Sequence, residues 1–149
     1  MSSRADASAL ELRDLLQRQR ALMLQGNQLV RRWAESFPRG TTGFRLARLA
    51  GESNTLLRWR KTAGDATAHG RRFELADDAD LVVTLPATAR LRVLEFERCR
   101  IQLNYEHALV SYQIQRFTDL QRHHDALAQL QRQVLAARRA TETSPVDRR

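Results

Sequence analysis

Past Pro86 the chain runs to about Arg139 with no further proline and no glycine, a window of 54 residues. Nothing in that window breaks a helix. As one straight helix it would extend about 80 Å at 1.5 Å per residue, unusual inside one small domain. Pro86 itself suits a first helical turn, where its missing N–H does no harm. Apolar residues recur at sevenfold steps in two series: Phe96, Leu103, Val110 and Phe117, then Leu120, Leu127 and Val134. The offset of three between them is a stutter, as where one packing partner hands over to another. Charge pairs three residues apart, Glu95–Arg98, Glu97–Arg100 and Asp119–Arg122, support the helix.

A shorter helix precedes this one. Ser8 and Glu11 have the spacing of a capping box, so the helix is expected to start there and residues 1–7 to be disordered. Leu12, Leu15, Leu16, Leu22, Met23, Leu29, Val30 and Trp33 fall near helical spacing. Gly26 costs this helix about 1 kcal/mol relative to alanine. Pro38 biases Phe37 away from helical dihedrals, which ends the helix near Ser36. The expected fold is mainly α: the N-terminal helix packs on the very long C-terminal one, with a small β-hairpin or helix-turn-helix between them. Residues 8–140 form a single helical domain with a basic insert at 39–75, and 141–149 form a disordered tail. The first helix is too short to cover all of the second, so a homodimer through the long helix is one expectation.

Composition narrows the functional classes. The 149 residues include 24 arginines and one lysine, Lys61, and the formal net charge is +8. A GC-rich genome favours arginine over lysine, so the ratio alone says little. Placement says more: residues 39–72 carry eight basic and two acidic groups, a balance of +6. A basic surface raises affinity for phosphate backbones. A lone cysteine, Cys99, excludes an internal disulfide framework. The N-terminus has no apolar signal region and no 18-residue apolar run occurs, so no membrane partner and a cytoplasmic setting are expected.

The basic segment has two readings. In the first, residues 55–61 form a strand with Leu57 and Trp59 on one face and Leu56, Arg58 and Arg60 on the other. After a loop containing Gly64, Asp65 and Gly70, residues 71–75 alternate as the second strand of a hairpin. In the second, residues 46–59 are a helix-turn-helix, with Ala47 at the helix contact, Gly51 in the turn and Ser53 as the cap. Asn54, Thr55 and Arg58 would then reach base edges. Glu52 and Arg60 stand where that motif usually has apolar residues. On either reading the nucleic-acid-binding set is Arg45, Arg48, Arg58, Trp59, Arg60, Lys61, Arg71 and Arg72. Arginine and an indole together suit phosphate contact and base stacking.

No catalytic motif is present. His69, His107, His123 and His124 lack metal-ligand spacing, and no phosphate-binding glycine loop or nucleophile elbow occurs. Asp77, Asp78 and Asp80 lack the spacing of a calcium loop and read as an acidic lead into the long helix. No enzyme activity, metal or cofactor is expected.

Two stretches resemble a bacterial family of unknown function encoded in integrating conjugative elements. Residues 55–60, Thr-Leu-Leu-Arg-Trp-Arg, are similar to its Leu-Arg-Trp-Arg signature. Residues 97–104, Glu-Arg-Cys-Arg-Ile-Gln-Leu-Asn, resemble its Glu-x-x-Arg-Ile-x-Leu-Asn stretch. The resemblance spans roughly residues 40–125 and implies a cytoplasmic bacterial protein of a mobile element, with no assigned activity. Read by their chemistry, Glu97, Arg100 and Asn104 share one helix face. They are either a local ion pair with an amide beside it or a polar anchor that fixes the hairpin or a partner helix in register. The expected function is a non-enzymatic accessory protein that binds nucleic acid through the basic segment. The alternative is a self-associating helical scaffold without nucleic-acid contact.

Overall fold

The computed structural model of the chain describes residues 3–49, 56–62 and 72–143. The order of elements is α1 (Ser3–Ser36), β1 (Phe44–Arg48), β2 (Leu57–Lys61), β3 (Arg72–Phe73), a 3-10 turn (Leu75–Asp78), α2 (Asp80–Val83) and α3 (Ala87–Thr143). The chain divides into two compact units, Met1–Tyr112 and Gln113–Arg149. The first holds α1, the sheet and α3 as far as Tyr112.

Both long helices form, with the end of α1 and the start of α3 where the sequence places them. Helix α1 ends at Ser36, two residues before Pro38, and the Phe37 N–H donates back to Trp33 O. It starts earlier than expected, at Ser3, so Ser8 and Glu11 lie inside the helix and do not cap it. Helix α3 begins directly after Pro86, whose carbonyl accepts the Arg90 N–H. It continues through Thr143, past the expected end near residue 140.

In the first unit the two helices run antiparallel. Gln19 on α1 meets Ser111 on α3 at 3.2 Å, and Trp33 meets Phe96 at a ring separation of 5.2 Å. Val93, Arg100, His107 and Val110 are buried on the inward face of α3, spaced seven, seven and three apart.

The segment between the helices is a three-stranded antiparallel sheet in the order β1-β2-β3. The expected hairpin is present: Trp59 pairs with Phe73 and Arg60 with Arg72. A strand that sequence reasoning did not place, β1, pairs on the other side along the full length of β2. The helix-turn-helix is therefore overturned, since Leu46–Arg48 and Leu57–Trp59 are strand residues. Period-two alternation decides this: it sends Phe44, Leu46, Leu57 and Trp59 to one side, where all four are buried. Gly51, Ser53, Asn54 and Thr55 of that reading lie outside the described residues, as do Gly64, Asp65 and Gly70.

These four side chains meet α1 and α3 in one core. Trp33 sits at its centre, 4.3 Å from the Phe37 ring, 4.8 Å from Trp59, and 5.5 Å from Phe44. Leu29, Leu56, Leu57, Leu75 and Val93 complete it. Complete burial of an aliphatic side chain such as Leu57 or Val93 contributes about 1.5–3 kcal/mol. Asp77 and Asp78 close the 3-10 turn and Asp80 opens α2, so the acidic run precedes Pro86 and does not lead α3.

Residues 113–143 of the second unit are helical, and Leu120, Leu127, Leu130 and Val134 are all more than half exposed. Asp119 holds Arg116 at 2.6 Å and Arg122 at 3.1 Å.

Gly26 has a packing reason. A Cβ there would lie 2.8 Å from Leu56 Cδ2 and 3.3 Å from Leu56 Cγ, and Leu56 is itself buried. Replacing a helical glycine by alanine ordinarily gains about 1 kcal/mol, whereas overpacking a core costs about 1–3 kcal/mol. Gly26→Ala is therefore expected to lower the urea midpoint, and Gly26→Val to lower it further. A stabilised Gly26→Ala protein would show that Leu56 yields freely.

Candidate nucleic-acid interface

The sheet is held on α3 by polar contacts that the interior makes strong. Asn104 forms two hydrogen bonds with the backbone of Leu57: its Oδ1 accepts the Leu57 N–H at 2.8 Å, and its Nδ2 donates to Leu57 O at 2.9 Å. The direction of these groups explains the pairing. The Leu56 carbonyl and the Thr62 N–H bond toward the β1 side, so Leu57 and Trp59 turn their backbone groups toward β3. Strand β3 ends at Phe73, opposite Trp59, and the chain then enters the 3-10 turn. Among the described residues, no strand residue stands opposite Leu57 on that side. The Asn104 carboxamide takes the vacant place with the donor–acceptor exchange that a strand neighbour makes.

One and two turns earlier on the same face of α3, Arg100 and Glu97 secure the next rung. The Trp59 indole N–H donates to Glu97 Oε2 at 2.6 Å. Arg100 donates through Nε to the same oxygen at 2.7 Å and through Nη2 to Oε1 at 2.8 Å, a bidentate pair. Glu74, which follows β3, stands 3.5 Å from Arg100. Burial pushes the Glu97 carboxyl up, but hydrogen bonds from Arg100 and Trp59 and the Arg100 charge outweigh it and hold the group below its ordinary value. The Glu97 hydrogen bonds likewise hold the Arg100 guanidinium above its ordinary value, against burial. Glu97, Arg100 and Asn104 thus form the polar anchor: they fix the sheet in register on the helix.

The opposite face of the sheet carries the charge. Arg45 on β1 stands directly across from Arg60 on β2, and Arg60 directly across from Arg72 on β3. One row of three arginines therefore crosses the whole sheet, about 10 Å at the usual strand spacing. Arg58 shares the face two residues along β2, about 7 Å from Arg60, and lies across from Ala47. Arg45 and Arg72 are exposed, while Arg58 and Arg60 are half-buried. Like charges directly opposite in a sheet are destabilising. Burial, and then repulsion from Arg72 and Arg60, press the Arg58 guanidinium below its ordinary value, with Glu74 acting in the other direction.

The eight residues expected to touch nucleic acid therefore separate. Arg45, Arg58, Arg60 and Arg72 gather on one face. Trp59 does not join them: it is 1% exposed and hydrogen-bonded to Glu97, so no ring face is open for base stacking. Its single N–H donor found a partner in the core, as a buried indole must. Lys61 has the inward parity of Trp59, pairs with Asp78, and lies 5.4 Å from the Phe73 ring. Arg48 also has the inward parity, and its Nη1 donates to Asn27 Oδ1 on α1 at 2.9 Å. Arg71 lies outside the described residues. The signal for the cross-strand row was the alternation Phe44-Arg45-Leu46, which becomes a strand only once β2 is beside it.

Among the described residues no group of three or more His, Cys, Asp and Glu side chains could hold a metal ion, and no helix is long and apolar enough to cross a membrane. Comparison of the chain with protein-family models, curated proteins and solved structures finds no match.

Two outcomes follow for the anchor. Asn104→Ala leaves the Leu57 N–H and C=O without their partner, and unsatisfied buried groups cost about 1–3 kcal/mol each. Its unfolding free energy in urea is expected to fall by about 2–4 kcal/mol. A drop no larger than that of an exposed substitution would mean the carboxamide does not complete the sheet. For Glu97 the folded value is depressed, so its stabilisation is present above the unfolded value and lost as pH falls through the folded one. The thermal midpoint should decline from about pH 5 toward pH 3, and Glu97→Gln should flatten that decline. An equally steep decline in Glu97→Gln would place the acid sensitivity elsewhere.

Proposed function

We propose that this protein is a non-enzymatic nucleic-acid-binding accessory protein that grips the phosphate backbone with the outer face of its sheet. The observation that carries this reading is the row Arg45–Arg60–Arg72 with Arg58 beside it. Side-by-side guanidinium groups work against folding, and a polyanion laid across them converts that repulsion into attraction. Fork-shaped donors suit phosphate oxygens. The buried indole leaves this face without an aromatic platform, which favours backbone contact over base stacking. Binding is then insensitive to base sequence and strongly dependent on salt. The strand with Arg58 and Arg60, and the turn of α3 that anchors it, are also the stretches that resemble the conjugative-element family. The mobile-element and cytoplasmic setting belongs to the same proposal.

The test is a salt series of duplex binding for wild type and for Arg45→Thr with Arg72→Thr, both exposed positions. The double variant is expected to flatten the dependence of log affinity on log salt by about 2. It should unfold at the same temperature or slightly higher, because two opposed charges leave and a β-branched residue enters each strand. A wild-type protein that shifts neither duplex nor single-stranded DNA at low salt would refute the reading. So would a double variant that binds with an unchanged slope.

A further inference from the structure

Helix α3 has a second apolar face in the first unit. Leu91, Leu94, Ile101, Tyr105, Leu109 and Tyr112 are 67, 56, 55, 63, 43 and 60% exposed. At 3.6 residues per turn they fall, with Arg98, within an arc of about 80°. The buried residues Val93, Arg100, His107 and Val110 lie on the opposite side of the helix. Isolated exposed leucines are ordinary, but six large apolar side chains on one narrow stripe mark an interaction surface.

The spacing along this stripe is symmetric. Taken about the midpoint between Ile101 and Gln102, Leu91 mirrors Tyr112, Leu94 mirrors Leu109, and Arg98 mirrors Tyr105. A face that repeats itself on reversal is complementary to a second copy of itself under a two-fold axis, which is the requirement of an isologous contact. In that arrangement the only charged residue of the stripe, Arg98, meets the ring of Tyr105 from the other copy, a cation–π contact, with Glu106 next to it. Glu106 is already oriented on this side by the Gln102 amide, at 3.0 Å. At the axis Ile101 meets the stem of Gln102, and apolar residues meet apolar residues at the two outer mirrored positions, Leu91 with Tyr112 and Leu94 with Leu109.

We propose that the chain forms a two-fold homodimer in which residues 91–112 of α3 pack antiparallel against the same residues of a second copy. The contact spans about 33 Å of helix and leaves the arginine face of the sheet outside it. It is independent of nucleic-acid binding, since the two surfaces share no residue.

The experiment combines mass in solution with cross-link register. Light scattering of the full chain across micromolar concentrations is expected to give a dimer. Ile101→Glu should weaken it more than about tenfold with unchanged far-UV circular dichroism, whereas Leu127→Glu, in the second unit, should leave it intact. In a Cys99→Ser background, Ile101→Cys should link to itself on mild oxidation. Leu91→Cys should link to Tyr112→Cys in a mixture of the two proteins but not to itself. These conservative exchanges keep the proposal testable if Ile101→Glu unfolds. A monomeric wild type, a dimer lost in Leu127→Glu but kept in Ile101→Glu, or a Leu91→Cys protein that links to itself would each overturn it.

Discussion

The sheet depends on a side chain that acts as a strand. Its strands are five, five and two residues long, too little for an independent sheet in water. Where β3 stops, the Asn104 carboxamide continues the hydrogen-bond ladder, and one rung further Glu97 takes the Trp59 indole. The register of β2 is therefore set from α3 as well as from its neighbouring strands. A slip by one residue would remove Leu57 from Asn104 and turn Trp59 outward at once, so the polar contacts and the apolar alternation enforce the same register. The charge on Glu97 is affordable there because Arg100 binds both of its oxygens.

That one-sided support explains how the opposite face carries four arginines. The register of β1, β2 and β3 puts Arg45, Arg60 and Arg72 in line, an arrangement that a hairpin held only by its own cross-strand pairs would tolerate poorly. Here the core side supplies the stability: Phe44, Leu46, Leu57 and Trp59 are all buried against the helices. The two faces of the sheet have separate tasks, one stabilising and one charged. Arg48 and Lys61, with inward parity, instead bind Asn27 and Asp78 and secure the ends of β1 and β2.

The helices were legible because their signals are local. Pro38 and Pro86 set the end of α1 and the start of α3 within a residue or two, and the spacing of Glu97, Arg100 and Asn104 showed a shared face. What was not legible was non-local. The partner of Asn104 is 47 residues away and that of the Trp59 indole is 38. No spacing rule connects them. Strand β1 was hidden for the same reason: Leu46, Ala47, Leu49 and Ala50 also satisfy a helical pattern, and only pairing with β2 selects the strand. The start of α1 was misplaced because a capping-box spacing at Ser8 and Glu11 also occurs inside helices. Trp59 was misjudged because an indole beside arginines reads equally as a stacking platform or as a core residue, and burial decides.

Helix α3 in the first unit is thus engaged on one side and uncovered on the other. Its inward face carries Val93, Arg100, His107 and Val110, and the Glu97–Asn104 edge carries the sheet. Its outer face carries a stripe that mirrors itself about Ile101 and Gln102. No residue of the outer stripe belongs to the anchor, and no residue of the arginine face lies on α3. The proposed self-association and the proposed nucleic-acid binding are therefore placed on separate surfaces, whereas damage to Asn104 or Glu97 would affect the arginine face through the register of β2. Under the two proposals together, pairing would add avidity without altering how each sheet contacts phosphate, because the proposed second copy would join on the outer stripe of α3 and not on the sheet.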